Sequence, residues 1–304
     1  MRVKSVLSLL LMLLALVVTT FSCKKEKSST PTNPINPSQN EIIGYINGLY
    51  SVTPNTQVCF SKGNLQYQAS TNTWRFAENQ WDIIGDDNAN LSSDYDGWID
   101  LFGWGTSGYN HGAVCYQPWS TSINNDDYNA YGTPDYSLFD SSGQADWGFN
   151  PISNGGNTEN QWFTLTRDEW KYVLDTRNTE SGIRYAKASV NGINGLLLLP
   201  DNWNDSIYYL NDVNTGSSIY DSNIIDSTAW TNAFEANGVV FLPASGNRAE
   251  TWVSDVNSET NYWSATSCVN GWAYSVSIDY NDLDPTLFID RALGVCVRLV
   301  HTVE

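Results

Sequence analysis

The sequence predicts an α+β domain in which two helices flank a small, twisted antiparallel sheet and aromatic side chains pin long loops. Helical signals occur twice, alternating strand patterns crowd the second half, and 13 tryptophans and 17 tyrosines lie among long stretches without a regular period. Large rings bury much area while their polar atoms find partners, so they can hold such loops. We expect this of four tryptophans: Trp98, Trp104, Trp119 and Trp147.

The first predicted helix begins at a capping box. Thr166 precedes Glu169 by three residues, the spacing at which the two side chains cap each other's backbone N–H groups. Trp170, Val173 and Leu174 then share one face at helical spacing.

The second predicted helix is shorter and spans residues 227–237. Ser227 is the predicted N-cap, and Trp230 and Phe234 lie four residues apart on one face. Gly238 follows and predicts the end of the helix, because glycine readily adopts the left-handed conformation there.

The strand predictions rest on alternation and on turn residues. Asn191-Gly192 is a favoured two-residue hairpin turn between the apolar stretches 183–190 and 195–199. Residues 272–280 alternate large and small side chains, as expected for a strand with one buried face, and a similar alternation closes the chain at 295–299. Shorter strands are predicted within 58–67 and 239–242.

The segment 165–173, with its Thr-x-x-Glu-Trp order, resembles a helix of the formylglycine-generating enzyme superfamily, a branch of the C-type lectin fold. Four later segments are similar to it in order: 198–200, 240–244, 262–265 and 294–300. Together with 60–67 they also resemble Fibrobacter-type major paralogous domain lipoproteins and uncharacterised gut-bacterial surface lipoproteins. The resemblance covers about 60–300 and implies a C-type-lectin-like fold, which hosts oxidases, sugar binders and adhesins. Function must therefore be argued from the site.

The amino terminus predicts export and lipidation. Arg2 and Lys4 precede an apolar run, and Ser22 precedes Cys23, the predicted lipid acceptor, so residues 1–22 are predicted to be a signal peptide. Residues 23–40 are polar and proline-containing, which predicts a flexible tether, and residues 41–304 form the predicted single globular domain. We expect a lipid-anchored protein of the bacterial outer membrane, on its surface or periplasmic face, with no other membrane contact.

Composition limits the chemistry. The formal charge of −18 disfavours nucleic acid as a partner. The two histidines and the lack of a Cys-x-x-Cys pair disfavour a zinc site, so no metal site is predicted. Calcium is left open by the acidic stretch 85–97, which lacks EF-hand spacing. Trp203-Asn204-Asp205 spells a tripeptide that supplies calcium ligands in many C-type lectins, but no Glu-Pro-Asn or Gln-Pro-Asp precedes it, so we interpret it as a loop. No cofactor is otherwise expected.

Four cysteines remain in the predicted domain, and an exported chain meets an oxidising compartment. Three pairings are open, and Cys268 with Cys296 is our first choice, because both lie in the strand-rich last third. The oxidases of the resembling superfamily carry two thiols a few residues apart near the carboxyl terminus, whereas Cys268 and Cys296 are widely separated. We therefore do not predict an enzyme.

Binding is the predicted function. Loops 249–261, 266–271 and 280–291 around the C-terminal sheet combine rings with carboxylates and amides, which suit stacking and directional hydrogen bonding. The chain is thus predicted to be an adhesin or a module that binds a carbohydrate or protein ligand. A divergent enzyme acting on glycans or sulfated substrates and a structural envelope protein are the alternatives. The candidate ligand-binding residues are Trp252, Tyr262, Asn270, Trp272, Tyr280, Asp282 and Asp284.

Overall fold

Short strands, nearly all antiparallel, form most of the regular structure in this computed structural model, which describes residues 43–303. The predicted signal peptide, Cys23 and the tether lie outside the described residues, and the described residues all fall within one compact unit. The strands are β1 Tyr50–Thr53, β2 Thr56–Phe60, β3 Leu65–Gln68, β4 Thr73–Phe76, β5 Phe163–Thr164, β6 Tyr185–Val190, β7 Ile193–Leu198, β8 Ile224–Ile225, β9 Val240–Pro243, β10 Asn247–Ala249, β11 Trp252–Ser254, β12 Thr260–Ser267, β13 Trp272–Ile278, β14 Leu283–Asp290 and β15 Leu299–Thr302.

The described strands form five small sheets rather than one. Two of them have four strands, in the orders β1-β2-β15-β5 and β8-β6-β7-β9, and one has three, in the order β12-β13-β14. Two hairpins, β3-β4 and β10-β11, complete the set, and only the β6–β8 pair is parallel. The structure therefore confirms a mixed α+β class with mostly antiparallel sheets and two short helices.

Helix α1, Arg167–Lys171, begins as the sequence predicts. The Thr166 side chain accepts from the Glu169 N–H at 3.3 Å, and the Glu169 carboxylate accepts from the Thr166 N–H at 2.8 Å. A wider π-helical turn, Tyr172–Thr176, continues the helix. Its predicted apolar face, beginning at Trp170, is buried in the core.

Helix α2, Ser227–Ala229, differs from the prediction at its first residue. The N-cap is Asp226 instead of Ser227, and the Asp226 carboxylate accepts from the Ala229 N–H at 2.7 Å. Ser227 is already inside the first turn, so its hydroxyl cannot cap it. A π-helical turn, Trp230–Phe234, and a 3-10 turn, Glu235–Asn237, follow. Gly238 ends the helix in the left-handed conformation, as predicted, with φ 75°.

The predicted hairpin is confirmed, because Asn191 and Gly192 join β6 to β7 with φ angles of 51° and 83°. Both angles are positive, as a type I′ turn requires. Gly192 supplies its angle without strain because it has no Cβ atom.

The core of residues 43–303 lies in three apolar clusters. The closing segment 295–299 runs between two of them: Cys296 belongs to one, whereas Val295, Val297 and Leu299 belong to the other. Both faces of this segment are therefore buried. Its alternating residues point into two different core clusters, and neither set faces solvent. Arg298, on the same face as Cys296, is fully buried as well.

Tryptophans hold the long loops, as the composition predicts. Trp104 is fully buried and donates its indole N–H to the Ser264 carbonyl at 3.0 Å, and Trp147 is fully buried nearby in the same cluster. Trp119 stacks on Tyr67 with ring centroids 6.0 Å apart. In residues 43–303, no helix has both the length and the apolar character needed to cross a membrane.

Candidate functional site

Three aromatic rings lie side by side on the outer face of β13 and β14. Tyr274 is directly opposite Phe288 in the strand register, and Trp272 lies two residues before Tyr274, so all three side chains share one face. The ring centroid of Phe288 is 5.4 Å from that of Trp272 and 6.4 Å from that of Tyr274, with edge-on geometry in both pairs. Half of the Phe288 side chain is exposed, at 50%. We call this surface the aromatic face.

The aromatic face arises because the small residues of β13 point inward. Ala273 and Ser275 are buried, whereas Trp272 and Tyr274 remain partly exposed. On this inward face Ser275 is directly opposite Trp263, a large buried ring in the same core cluster as Ala273. Beyond Ser275 the β13–β14 pairing shifts register and Val276 is buried. The predicted strand is confirmed, but its large side chains are buried only in its second half.

Helix α1 supplies a cation at the edge of the aromatic face. The guanidinium carbon of Arg167 lies 4.9 Å from the Tyr274 ring centroid, and Arg167 Nε lies 3.2 Å from the exposed Asp168 carboxylate. A hydrogen bond with the Cys268 thiol raises the pKa of Tyr274, and Arg167 opposes that shift. The surface thus offers flat rings together with one charge of each sign.

The turn between β12 and β13 borders the aromatic face. Asn270 is exposed and adopts a left-handed conformation with φ 59°, and Gly271 follows with φ 78°. A Cβ atom on Gly271 would lie 3.0 Å from the Asn125 Cβ, so this turn packs closely on a neighbouring loop. The Asn125 amide donates to Asp290 at 2.7 Å, which fixes that loop to β14.

Three other candidate residues lie at the opposite end of the same sheet. Tyr280 is eight residues beyond Trp272, which corresponds to about 26 Å along a strand. Tyr280 and Asp282 are exposed in the β13–β14 turn, whereas Asp284 is partly buried and accepts from the Thr286 N–H at 2.8 Å. These residues do not share a binding surface with Trp272 and Asn270.

A buried lysine lies near the acidic residues of that distant turn. Lys187 is fully buried, and its ammonium donates to the Gly216 carbonyl at 2.6 Å. Burial lowers the pKa of Lys187, and the carboxylates of Asp279 and Asp282 counter this. Asp279 also accepts from two backbone N–H groups of the turn, each at 2.6 Å. The carboxylates of this turn therefore have a structural role that needs no ligand.

Trp252 is on a separate hairpin. It begins β11, is 74% exposed, and pairs with Ala249 of β10. The exposed candidates are therefore divided among three places: Trp272 and Asn270 at the aromatic face, Tyr280 with Asp282 and Asp284 at the β13–β14 turn, and Trp252 on its own hairpin.

Tyr262 was predicted to bind ligand, and the structure shows this to be wrong. Its side chain is fully buried, its hydroxyl donates to the Pro243 carbonyl at 3.0 Å, and it accepts from the Asn64 amide at 3.0 Å. Tyr262 is paired with Val276, which is on the same face of β13 as Tyr274, but at this end of the sheet that face is covered by the core cluster that contains Tyr262 and Val276.

The predicted Cys268–Cys296 disulfide is also wrong, since both thiols are free. Cys296 pairs with Tyr262 near one end of β12, and Cys268 follows the other end. Six residues of strand separate these points, roughly 20 Å, whereas a disulfide requires Cα atoms about 4–7 Å apart.

Both histidines serve as hydrogen-bonding groups for the backbone. His111 Nε2 lies 3.0 Å from the Gly105 carbonyl, and His111 Nδ1 accepts from the Tyr131 N–H at 3.0 Å. Burial lowers the pKa of His111, which favours the neutral ring that this arrangement needs. His301 Nδ1 lies 2.8 Å from the Gln161 carbonyl.

The predicted calcium loop contains a short 3-10 turn, Gly85–Ala89, whose Asn88 side chain points inward. Within the described part of the chain, no three His, Cys, Asp or Glu side chains gather in a way that could hold a metal ion. Calcium dependence stays a prediction.

Sequence reasoning missed Arg167, Tyr274 and Phe288 as site residues. The period of β13 could have indicated Tyr274, because it shares a face with Trp272. Arg167 follows the capping threonine directly, but its position over a ring depends on how α1 packs against β13 and β14, which no local pattern encodes. Compared with protein-family models, curated proteins and solved structures, the chain matches none of them.

Proposed function

We propose that this chain is a non-catalytic lipoprotein of the bacterial outer membrane, anchored through Cys23, that binds a carbohydrate ligand on the aromatic face. The aromatic face itself carries the proposal. Trp272, Tyr274 and Phe288 expose adjoining rings on rigid strands, and Arg167 and Asp168 border them.

The chemistry of this face suits a sugar. The C–H surface of a pyranose packs against exposed rings, which loses little side-chain entropy because strands already hold the rings. Arg167 can donate to hydroxyl oxygens and Asp168 can accept from hydroxyl hydrogens. Asn270, at the border, provides both a donor and an acceptor. None of these contacts requires a bond to be made or broken.

The same proposal includes a C-type-lectin-like fold. It is supported by two short helices, small antiparallel sheets and long loops held by buried tryptophans such as Trp104. The confirmed capping box at Thr166 lies within the segment that resembles the formylglycine-generating enzyme superfamily.

A glycan array tests the binding proposal. Purified protein is applied with and without calcium, and we expect selective binding that Trp272→Ala removes. The matched control is Tyr209→Ala, because Tyr209 is 80% exposed and distant in sequence from β13 and β14. Binding that persists in Trp272→Ala would contradict the assignment of the face. Turnover of a glycan would favour a divergent enzyme, and binding to a protein alone would replace the carbohydrate with a protein ligand.

Lipidation has its own test. Cys23→Ser should release the protein from the membrane fraction, because the predicted anchor is a thioether on that residue. Retention of the variant in membranes would contradict the anchor without affecting the aromatic face.

A further inference from the structure

A second surface cleft lies between the hairpin β3–β4, the segment 81–84 and the turn that joins β6 to β7. Its volume is about 470 Å³, within the range of about 300–1,000 Å³ that is usual for small-ligand sites. It is lined by Gln66, Arg75, Trp81, Asp82, Ile83, Ile84, Asn191 and Ile193. We call it the Arg75 cleft.

The hairpin places two polar side chains in this cleft by strand alternation. Tyr67 and Trp74 face inward and are buried in a core cluster. Gln66 and Arg75 are directly opposite each other in the register, one residue out of phase with that inward pair, so they occupy the other face. Their side chains meet there, since Arg75 Nε donates to Gln66 Oε1 at 2.9 Å.

The Arg75 guanidinium is fixed but keeps free donors. Its carbon atom lies 3.7 Å above the ring centroid of Trp98, which holds the guanidinium plane in place. With Nε bonded to Gln66, the two Nη groups remain, and neither has a hydrogen-bond partner within residues 43–303. The end of the guanidinium that carries the two Nη groups is therefore free. This is the edge that binds a carboxylate through two parallel hydrogen bonds.

Gln66 adds a second unused donor beside it. The side chain is almost completely buried, at 2% exposure, yet Gln66 Nε2 makes no hydrogen bond to the described part of the chain. Because Gln66 lines the cleft and its Nε2 is not sealed from solvent, this amide is free to donate to a ligand acceptor there.

The neighbouring acids are already engaged. Glu78 forms an ion pair with Lys62 at 2.8 Å, and the Asp82 carboxylate accepts from the Asn79 backbone N–H at 2.9 Å. Neither forms an ion pair with Arg75. The opposite wall is apolar, and its ring, Trp81, is braced edge-on by Trp230 at 6.0 Å between centroids.

We propose that the Arg75 cleft binds a sugar ring that carries a carboxylate, a residue of the uronic-acid class. The two Nη groups of Arg75 bind the carboxylate, Gln66 Nε2 donates to a neighbouring hydroxyl or ring oxygen, and Trp81 packs against the ring. The cleft is a separate site from the aromatic face, so either can fail without the other.

Titration of the purified full chain with D-glucuronate tests the proposal, with D-glucose and acetate as probes lacking the carboxylate and the ring respectively. Binding is followed by the indole N–H resonances of Trp81 and Trp98. We expect saturable shifts with glucuronate and much weaker responses to glucose and acetate. Arg75→Lys keeps the charge but loses the fork, and should weaken glucuronate binding by about tenfold or more.

Arg184→Lys is the matched control, because Arg184 lies outside the cleft and donates to the Leu174 carbonyl. An unchanged glucuronate affinity in Arg75→Lys would overturn the proposal. So would the absence of saturable glucuronate binding, or an equal response to glucose or to acetate. Gln66→Leu provides a second variant: weaker glucuronate binding in a folded protein supports the proposed amide contact, and unchanged binding contradicts it.

Discussion

Asp100 is fully buried and forms no ion pair within residues 43–303, and this makes the stability of the fold depend on pH. Its carboxylate accepts from the Asn88 amide at 2.8 Å and from the Ile84 N–H at 3.2 Å. Burial raises the pKa of Asp100 from 3.8 to about 6, and these hydrogen bonds only partly oppose the shift. Asp100 thereby ties the segment that carries Ile84, a wall of the Arg75 cleft, to the core.

The sign of the effect follows from the direction of the shift. The folded pKa is above the unfolded pKa, so between about pH 4 and pH 6 the folded protein keeps a proton that the unfolded chain releases. The contribution of Asp100 to stability is therefore complete below the unfolded pKa and is lost as the pH rises through about 6. The difference between a pKa of 3.8 and one of about 6 corresponds to about 3 kcal/mol of stability.

The substitution Asp100→Asn removes this titration. At pH 4 the variant should be less stable than the parent by about 1–2 kcal/mol, because an amide N–H replaces one acceptor oxygen. Between pH 4 and pH 7 that difference should shrink by up to about 3 kcal/mol, because the parent loses stability as its buried carboxyl group ionises.

Urea unfolding at pH 4, 5, 6 and 7, followed by tryptophan fluorescence, measures the difference. Comparing the variant with the parent cancels other titrations, including that of Asp146, whose pKa burial also raises. Asp96→Asn, the same substitution at an exposed residue of the same segment, gives the baseline. A difference between Asp100→Asn and the parent that stays constant with pH would refute this account.

Two further predictions follow from the corrected residues. Tyr262→Phe should lower the free energy of unfolding by about 1–3 kcal/mol, because the removed hydroxyl donates to the buried Pro243 carbonyl and accepts from the buried Asn64 amide. Urea unfolding measures this, and lost glycan binding in the folded variant would restore Tyr262 as a ligand residue. The unreduced protein, unfolded and alkylated at Cys59, Cys115, Cys268 and Cys296, should carry four adducts by mass spectrometry, because the structure leaves these thiols unpaired. Two or zero adducts on these residues would reveal a disulfide.

Local signals predicted the elements that are decided locally. The capping box of Thr166 and the Asn191-Gly192 turn are both confirmed, because each depends on hydrogen bonds or backbone angles within a few residues. The wrongly predicted N-cap of α2 is also a local error. Asp226 and Ser227 both have side chains that can cap a helix, and the prediction chose Ser227 where the structure has Asp226.

The candidate site was less predictable because it depends on which face of β13 is buried. A period-2 pattern of large and small residues indicates two faces but does not say which one meets the core. The usual assumption buries the large side chains, and Ala273 and Ser275 reverse it because their face of β13 adjoins Trp263 in the core. Tyr262 was chosen because it adjoins the predicted loop 249–261, whereas it lies inside β12 and is fully buried. Trp272 and Tyr280 were also grouped because their loops are close in sequence. The length of β13 places these two residues at opposite ends of the strand.

Each of the two proposed sites contains an arginine that lies over an aromatic ring. Four are fully buried and donate to backbone carbonyls, so their charges hold the fold together: Arg177, Arg248, Arg291 and Arg298. Arg75 and Arg167 instead lie over partly exposed rings, each near a surface carboxylate. In a chain with a formal charge of −18, a cation fixed at the surface attracts an electron-rich ligand that the overall field would repel. Salt screens that field over about 8–10 Å at physiological strength, so the local charge dominates once a ligand reaches the ring. This is why we assign ligand recognition to Arg75 and Arg167 and a structural role to the four fully buried arginines.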